Sequence, residues 1–327
     1  MLPNAPIRAV IDRPGHASLQ TGEPIPPAAD ELLIRLEGCG VCASNLPVYE
    51  GRDWFDYPQP PGAPGHESWG EVVAMGAAVR DFAIGDRVAS LGERAYASHE
   101  CVPADQAVRL PPALAGKPFP GEALGCIMNI WARSDIRAGQ TVAIVGAGFL
   151  GLGLTQLAVA AGARVLALSR KPHSLALARR FGAEPLAMDD HWQLIEAVRE
   201  RTGGNFCERV IEATGAQWPL DLAGELTGIG GRLIIAGYHQ DGPRQVNLQL
   251  WNWRGIDVVN AHERSAAVRL EGIRQAVDAV IGGRLQTEPL ITHRYGLAAL
   301  DQALATLRER PDGFIKAIVT MDPAADA

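Results

Sequence analysis

The sequence predicts an α/β protein: a doubly wound parallel sheet set into a chain that begins and ends with short strands. Three observations predict it. Residues 1 to about 120 are rich in Gly and Pro and carry short alternating strands such as "ELLIRLEG" and "WGEVVAMG". From there to about residue 264, β-branched runs alternate with helical stretches. Within that region "GAGFLG" lies directly after a strand and opens a helix.

The β-rich first part contains most of the candidate chemistry. "GCGVCASNLP" puts Cys39 and Cys42 three residues apart, and "PGAPGHESWGEVV" puts His66 and Glu67 at the start of a strand. A thiolate, a neutral imidazole and a carboxylate are natural companions around Zn²⁺. The cysteines at 39, 42, 101, 126 and 207 are odd in number and irregularly spaced, which argues against a disulfide framework. No second Cys-x-x-Cys exists to complete four sulfurs, so the pair does not read as a zinc knuckle, and Cys39 reads as a small buried residue. A redox disulfide between the two is the alternative, but that motif belongs at a strand-to-helix junction, and "LLIRLEGCGVC" is strand followed by loop.

The run Val142 to Ala163 is long and apolar enough to raise a membrane reading. It divides instead into the strand "TVAIVG", a glycine turn and the helix "FLGLGLTQLAVAAGA" ending near Gly162, followed at once by the strand "RVLALS". In the turn, Gly146 and Gly148 allow a tight bend and close approach of a pyrophosphate, and Gly151 allows close packing of helix on strand. Gly146, Gly148, Phe149, Leu150 and Gly151 are therefore the cofactor-binding turn, with phosphates at the helix N-terminus. The strands "RVIEAT" and "GRLIIAGY" and the helices "HSLALARRFGA" and "WQLIEAVRERTGG" complete the βαβ series. "QVNLQLWNWRGIDVVNAHERS" continues the sheet region.

At the end of "RVLALS", an acid would bond the ribose 2′-hydroxyl of NAD. Here Ser169 stands in that place, with Arg170 and Lys171 after it. A hydroxyl and a guanidinium suit a 2′-phosphate, which favours NADP(H) over NAD(H). The alternative is that Arg170 and Lys171 are ordinary solvated loop charges.

Composition limits the partners. The chain has 327 residues, 47% hydrophobic and 20% charged, which is enough for two domains with real cores. A formal net charge of −7 gives no electrostatic reason to expect nucleic acid or an anionic membrane, so a small molecule is the expected partner. The N-terminus lacks a basic stretch followed by an apolar one, so no secretory signal is read and a cytoplasmic location is expected. The tryptophans, Trp54, Trp69, Trp131, Trp251 and Trp253 among them, serve either as core or as a ring on which a sugar could stack.

Taken in order, "GVCASN", "GHE", "GDRV", "GEALGC" and "GAGFLG" resemble the zinc-containing medium-chain dehydrogenases, the alcohol, sorbitol and threonine dehydrogenase superfamily. The resemblance covers essentially the whole chain. It implies a GroES-like β domain over 1–120 and 265–327, a Rossmann nucleotide-binding domain over 121–264, and reversible alcohol–carbonyl oxidoreduction with one catalytic zinc. Carried onto this chain, it makes Cys42 and His66 zinc ligands, Glu67 either a ligand or a carboxylate behind them, and Ser44 the hydroxyl that relays the substrate proton. Glu122 of "GEALGC" matches the carboxylate ligand of polyol-type members, although Ala123 departs from their usual proline; Cys126 is its rival. Asn45 stands where relatives often have aspartate or histidine.

The stretch "GDRVASLGERAYASHECVPAD" holds one cysteine, so the second, structural zinc of many relatives is expected to be absent. Lys316, on the last strand, is assigned to the cofactor. The resemblance also implies a homo-oligomer, dimer or tetramer, and its glutamate-type zinc shell leans towards polyols, sugars or cyclitols. Two alternatives stand beside it: a zinc-free quinone or enoyl reductase on the same fold, and a non-catalytic nucleotide-binding protein.

Overall fold

The computed structural model describes residues 5–321. Its contacts divide the chain into two units. One takes in residues up to Gly125, Ser265–Ile281, and the chain from Ile291 on; the other takes in Cys126–Arg264 and Gly282–Leu290.

The first unit is mainly antiparallel. Ile7–Arg13 and His16–Thr21 form a hairpin. A seven-stranded sheet runs His293–Gly296, Ala317–Thr320, Glu31–Gly40, Ser68–Met75, Arg87–Ser90 and Ala107–Arg109, with His99–Pro103 also paired to Glu31–Gly40. Within Glu31–Gly40, buried Ile34 and Leu36 alternate with exposed Arg35 and Glu37, the period expected of a strand with one face on a core, while both ends of the strand, Leu32–Leu33 and Gly38–Gly40, are buried on both faces. That core includes Ile11, Val72, Val88 and Tyr96, closed by Leu300, Leu304 and Leu307 of the helix Leu300–Glu309.

Strand register brings three segments together at one end of this sheet. Cys39 pairs with Ser68, and Ile318 with Gly40. The segment just past Gly40, the segment just before Ser68 and the segment just before Ala317 therefore converge. Backbone bonds fix them: Gly40 N donates to Glu67 O at 3.0 Å, and Val41 N to Ala317 O at 3.0 Å.

The second unit is a six-stranded parallel sheet in the order Glu184–Ala187, Arg164–Ser169, Thr141–Val145, Cys207–Glu212, Thr227–Ile235, Asp257–Asn260. This is the doubly wound order, reversing between Thr141–Val145 and Cys207–Glu212. The apolar run is a strand, Thr141–Val145, and a helix, Phe149–Ala160, buried from Gly151 to Ala158. Among the described residues no helix is long and apolar enough to cross a membrane. Part of the stretch read as continuing sheet is instead a helix, Leu248–Arg254. The Asn247 side chain caps it by accepting from Leu250 N at 3.1 Å, and Gly255 closes it in the left-handed region.

Candidate functional site

Cys42, His66 and Glu67 place one donor atom each within 4.8 Å of one another, the one such cluster of three or more among the described residues. None lies inside a regular strand: Cys42 follows Glu31–Gly40, and His66 and Glu67 precede Ser68–Met75. Loops hold donors here and the sheet aims the loops.

The histidine is oriented from behind. Its Nδ1 lies 2.8 Å from the Pro64 carbonyl, to which it donates, so Nε2 is turned towards the cluster with Ser44 Oγ 3.4 Å away. Asn45, buried, ties the two donor loops together. Its Oδ1 accepts from Cys42 N at 3.3 Å and from Tyr96 OH at 2.7 Å, and its Nδ2 donates to the same Pro64 carbonyl at 3.1 Å. Tyr96 is itself fully buried, and its amide donates to Gly62 O at 3.0 Å.

Burial alone would lower the His66 pKa. The Cys42 sulfur bonded to it and the carboxylates of Glu122 and Glu67 override that and push it up to about 10. The local field therefore favours positive charge at this point. A thiol, an imidazole and a carboxylate in such a field fit a zinc ion.

Glu67 is 1% exposed and Lys316 6%. The Lys316 ammonium donates to Glu67 Oε1 at 2.7 Å and sits 2.6 Å from Oε2, which makes no hydrogen bond. A buried carboxylate needs such a countercharge. Gly40 makes the approach possible, because a Cβ there would collide with Glu67 Oε2. Lys316, assigned to the cofactor from the sequence, is thus engaged with Glu67, one residue before the strand Ala317–Thr320. It reaches Glu67 through strand register that local sequence does not display.

Glu122 is not one of the three clustered donors. It lies in the first turn of the helix Gly121–Ser134 and accepts from Arg269 Nη2 at 2.9 Å. Arg269 belongs to the helix Ala266–Ile281, whose Ile273 packs against Gly121 and Gly125. Cys126, one turn further, is also outside the cluster. Cys39 is fully buried, free, and donates to Gly40 O at 3.3 Å; burial, with Glu67 nearby, holds its thiol well above the ordinary range. Neither Cys39 nor Cys42 is in a disulfide. Of the tryptophans, Trp69 is core, whereas Trp54 and Trp253 are exposed.

In the second unit the glycine turn caps its helix with Gly148. Gly146 adopts φ 108°, and a Cβ on Gly151 would collide with Gly146 O. At Gly148 nothing lies within 4 Å of a Cβ position. Packing within the chain does not demand a glycine there; the space suits a group from outside, as a pyrophosphate on the helix N-terminus would be. Phe149 and Leu150 form the first helical residues. Ser169 is buried and its Oγ accepts from Lys171 N at 3.1 Å, while Arg170 and Lys171 are exposed.

Residues 28–128 match the alcohol dehydrogenase GroES-like domain family and residues 150–279 the zinc-binding dehydrogenase family. Alcohol dehydrogenase notN of Aspergillus sp. (strain MF297-2) is 32% identical over 270 residues, covering 72% of this chain and 78% of that protein. D-arabitol-phosphate dehydrogenase of Enterococcus avium is 23% identical over 333 residues, 91% of this chain and 92% of its own. Among solved structures, a protein of Sinorhizobium meliloti 1021 assigned as a zinc-binding dehydrogenase and bound to NADP superposes with TM-score 0.83 at 26% identity, covering 97% of this chain and all of its own. On these matches and this fold, the chain belongs to the zinc-type medium-chain dehydrogenase superfamily.

Proposed function

We propose that this protein is a zinc-dependent, nicotinamide-linked oxidoreductase. It interconverts a secondary alcohol of polyol, sugar or cyclitol type and its carbonyl. The observation that carries the reading is the convergence of Cys42 and His66 beside the Ser44 hydroxyl. Cys42 and His66 would hold the metal, with Glu67 within reach and Glu122 as a further carboxylate once released from Arg269. The likeness to a polyol-phosphate dehydrogenase supports the substrate class. NADP(H) is favoured over NAD(H), on Ser169, Arg170 and Lys171 and on the NADP-bound relative.

When bound, the metal supplies Lewis acidity to the substrate oxygen, and the nicotinamide takes up or returns hydride. The chain's own residues do the rest. Donation from His66 Nδ1 to Pro64 keeps Nε2 available as a donor atom. Asn45 holds the Cys42 and His66 loops in one geometry. Ser44 Oγ accepts the alcohol proton as its own hydroxyl proton leaves to solvent, which the half-buried side chain can reach, and Asn45, an amide without a titratable proton, does not extend that path. The buried Lys316 balances Glu67, so the pair adds no net charge beside the donors.

The test is oxidation of a panel of polyols, sugars and cyclitols with NADP and NAD by the parent, Cys42→Ala and His66→Ala. Turnover by the parent and loss in both folded variants is expected. Full turnover in either variant would overturn the metal mechanism, and would favour the zinc-free reductase.

A further inference from the structure

At the carboxyl end of the six-stranded sheet lies a buried charged cluster that the proposed metal chemistry does not use. Glu212, the last residue of Cys207–Glu212, is fully buried. A carboxylate there is costly unless its lone pairs are filled. Oε1 accepts from Thr214 N at 2.6 Å, Thr214 Oγ1 at 2.5 Å and Gly215 N at 2.9 Å, and His239 Nε2 is 3.0 Å from Oε2. Arg244 Nε donates to His239 Nδ1 at 2.9 Å. That makes Nδ1 the acceptor, so the imidazole proton sits on Nε2 and is donated to Glu212. Arg244 also donates to Gly215 O at 2.8 Å and pairs with Asp241.

The cluster ties together two loops, 213–215 after one strand and 236–244 after the next. The amides of Ala236 and Gly237 add bonds of 2.8 Å each to the Glu212 carbonyl. The first of these loops borders the glycine turn, and the second packs on the first, where a Cβ on Gly215 would meet Tyr238 O. Ala213 N donates to Val145 O at 2.9 Å, and a Cβ on Gly146 would stand 2.5 Å from Thr214 Cγ2. A dinucleotide lies across the strand ends where sheet order reverses, one mononucleotide half on each side. The glycine turn and Ser169 belong to the half built on Thr141–Val145 and Arg164–Ser169; the loops tied by Glu212 belong to the other.

We infer that His239 and Arg244 are positioning residues for the nicotinamide half of the cofactor, acting by locking the loops at 213–215 and 236–244 through Glu212. The inference rests on the nicotinamide-linked reading above and deepens it. It predicts a split between whole dinucleotide and its adenosine half, which loss of general stability would not produce.

The experiment uses the full chain. Dissociation constants are measured by fluorescence for NADPH and NADH, and by calorimetry for adenosine 2′,5′-bisphosphate and ADP, with the parent, His239→Ala, His239→Gln and Arg244→Gln. In His239→Ala the dinucleotides should bind about tenfold more weakly, or 1.4 kcal/mol, with the two adenosine fragments within about twofold of the parent. His239→Gln, whose amide can still donate to Glu212, should recover most of the loss, and Arg244→Gln should shift in the same direction as His239→Ala. If His239→Ala does not fold, Arg244→Gln carries the test, since that guanidinium reaches the surface. Unchanged dinucleotide binding, or equal weakening of dinucleotides and fragments, overturns the inference while leaving the proposed function in place. A parent that binds neither dinucleotide removes both.

Discussion

Replacing Glu100 by glutamine should stabilise the protein above neutral pH and do almost nothing near pH 4. Glu100 points inward from His99–Pro103; its Oε1 accepts from Arg94 N at 2.6 Å, and its buried Oε2 has no hydrogen-bond partner. Any side chain at Gly92 would strike the carboxylate. Burial raises its pKa from 4.5 to about 7, against the opposing pull of the Arg94 and Glu93 amides. A carboxyl group with a higher pKa folded than unfolded favours the fold while it is protonated. That contribution is complete below 4.5 and is lost as pH rises through about 7. At about 1.4 kcal/mol per pH unit, the interval is worth ~3 kcal/mol. Glutamine is neutral throughout and keeps an acceptor for Arg94 N. The variant should therefore match the parent near pH 4 and exceed it by up to ~3 kcal/mol near pH 8, read from urea midpoints at intervals between. A difference that does not change with pH, or a variant less stable at pH 8, would mean that Glu100 is not protonated on folding. The site has a stake in the result, because Ala95 N and Tyr96 N bond Gly65 O and Gly62 O, both at 3.0 Å, and so brace the His66 loop.

Other perturbations draw on the same geometry. Lys316→Met strands a buried carboxylate and should cost about 3–5 kcal/mol in denaturant, most of it recovered when Glu67→Gln is added; additive losses would contradict the pairing. Tyr96→Phe removes the 2.7 Å bond to Asn45 and should cost about 1–3 kcal/mol while leaving bound zinc per chain unchanged, checked by melting and metal analysis. Arg170→Ala should weaken NADPH binding severalfold more than NADH binding in fluorescence titrations, and equal effects would remove the 2′-phosphate assignment. Comparing Glu122→Gln with Cys126→Ser under chelator competition should identify the third donor, and loss of metal only in Cys126→Ser would rule out Glu122.

The donors are legible in the sequence because each sits in a short local motif: Cys42 in "GVCASN", His66 and Glu67 in "GHE", and the glycines beside a strand that alternates with helices. The roles that are not legible depend on distant pairing. Lys316 meets Glu67 across 249 positions through the register of Ala317–Thr320 with Glu31–Gly40, and on its own it reads as a basic residue on a strand. Tyr96 reaches Asn45 across 51 positions, and His239 reaches Glu212 from the following loop. The strand Glu184–Ala187 has four residues, one of them proline, at the edge of the sheet, too short and irregular for an alternation signal. The helix Leu248–Arg254 is hidden although Asn247 and Gly255 are ordinary start and stop signals, because "WNWRGIDVV" is rich in strand-forming residues.

The proposed chemistry requires that Cys42 and His66 hold a zinc ion. The decisive measurement is elemental analysis of the purified protein, before and after mild chelation and beside Cys42→Ala, with cofactor oxidation followed on the same samples. About one zinc per chain is expected in the parent, lost together with activity on chelation, regained with added zinc, and absent from folded Cys42→Ala. A folded, active parent that neither contains zinc nor binds it when supplied would contradict the zinc mechanism.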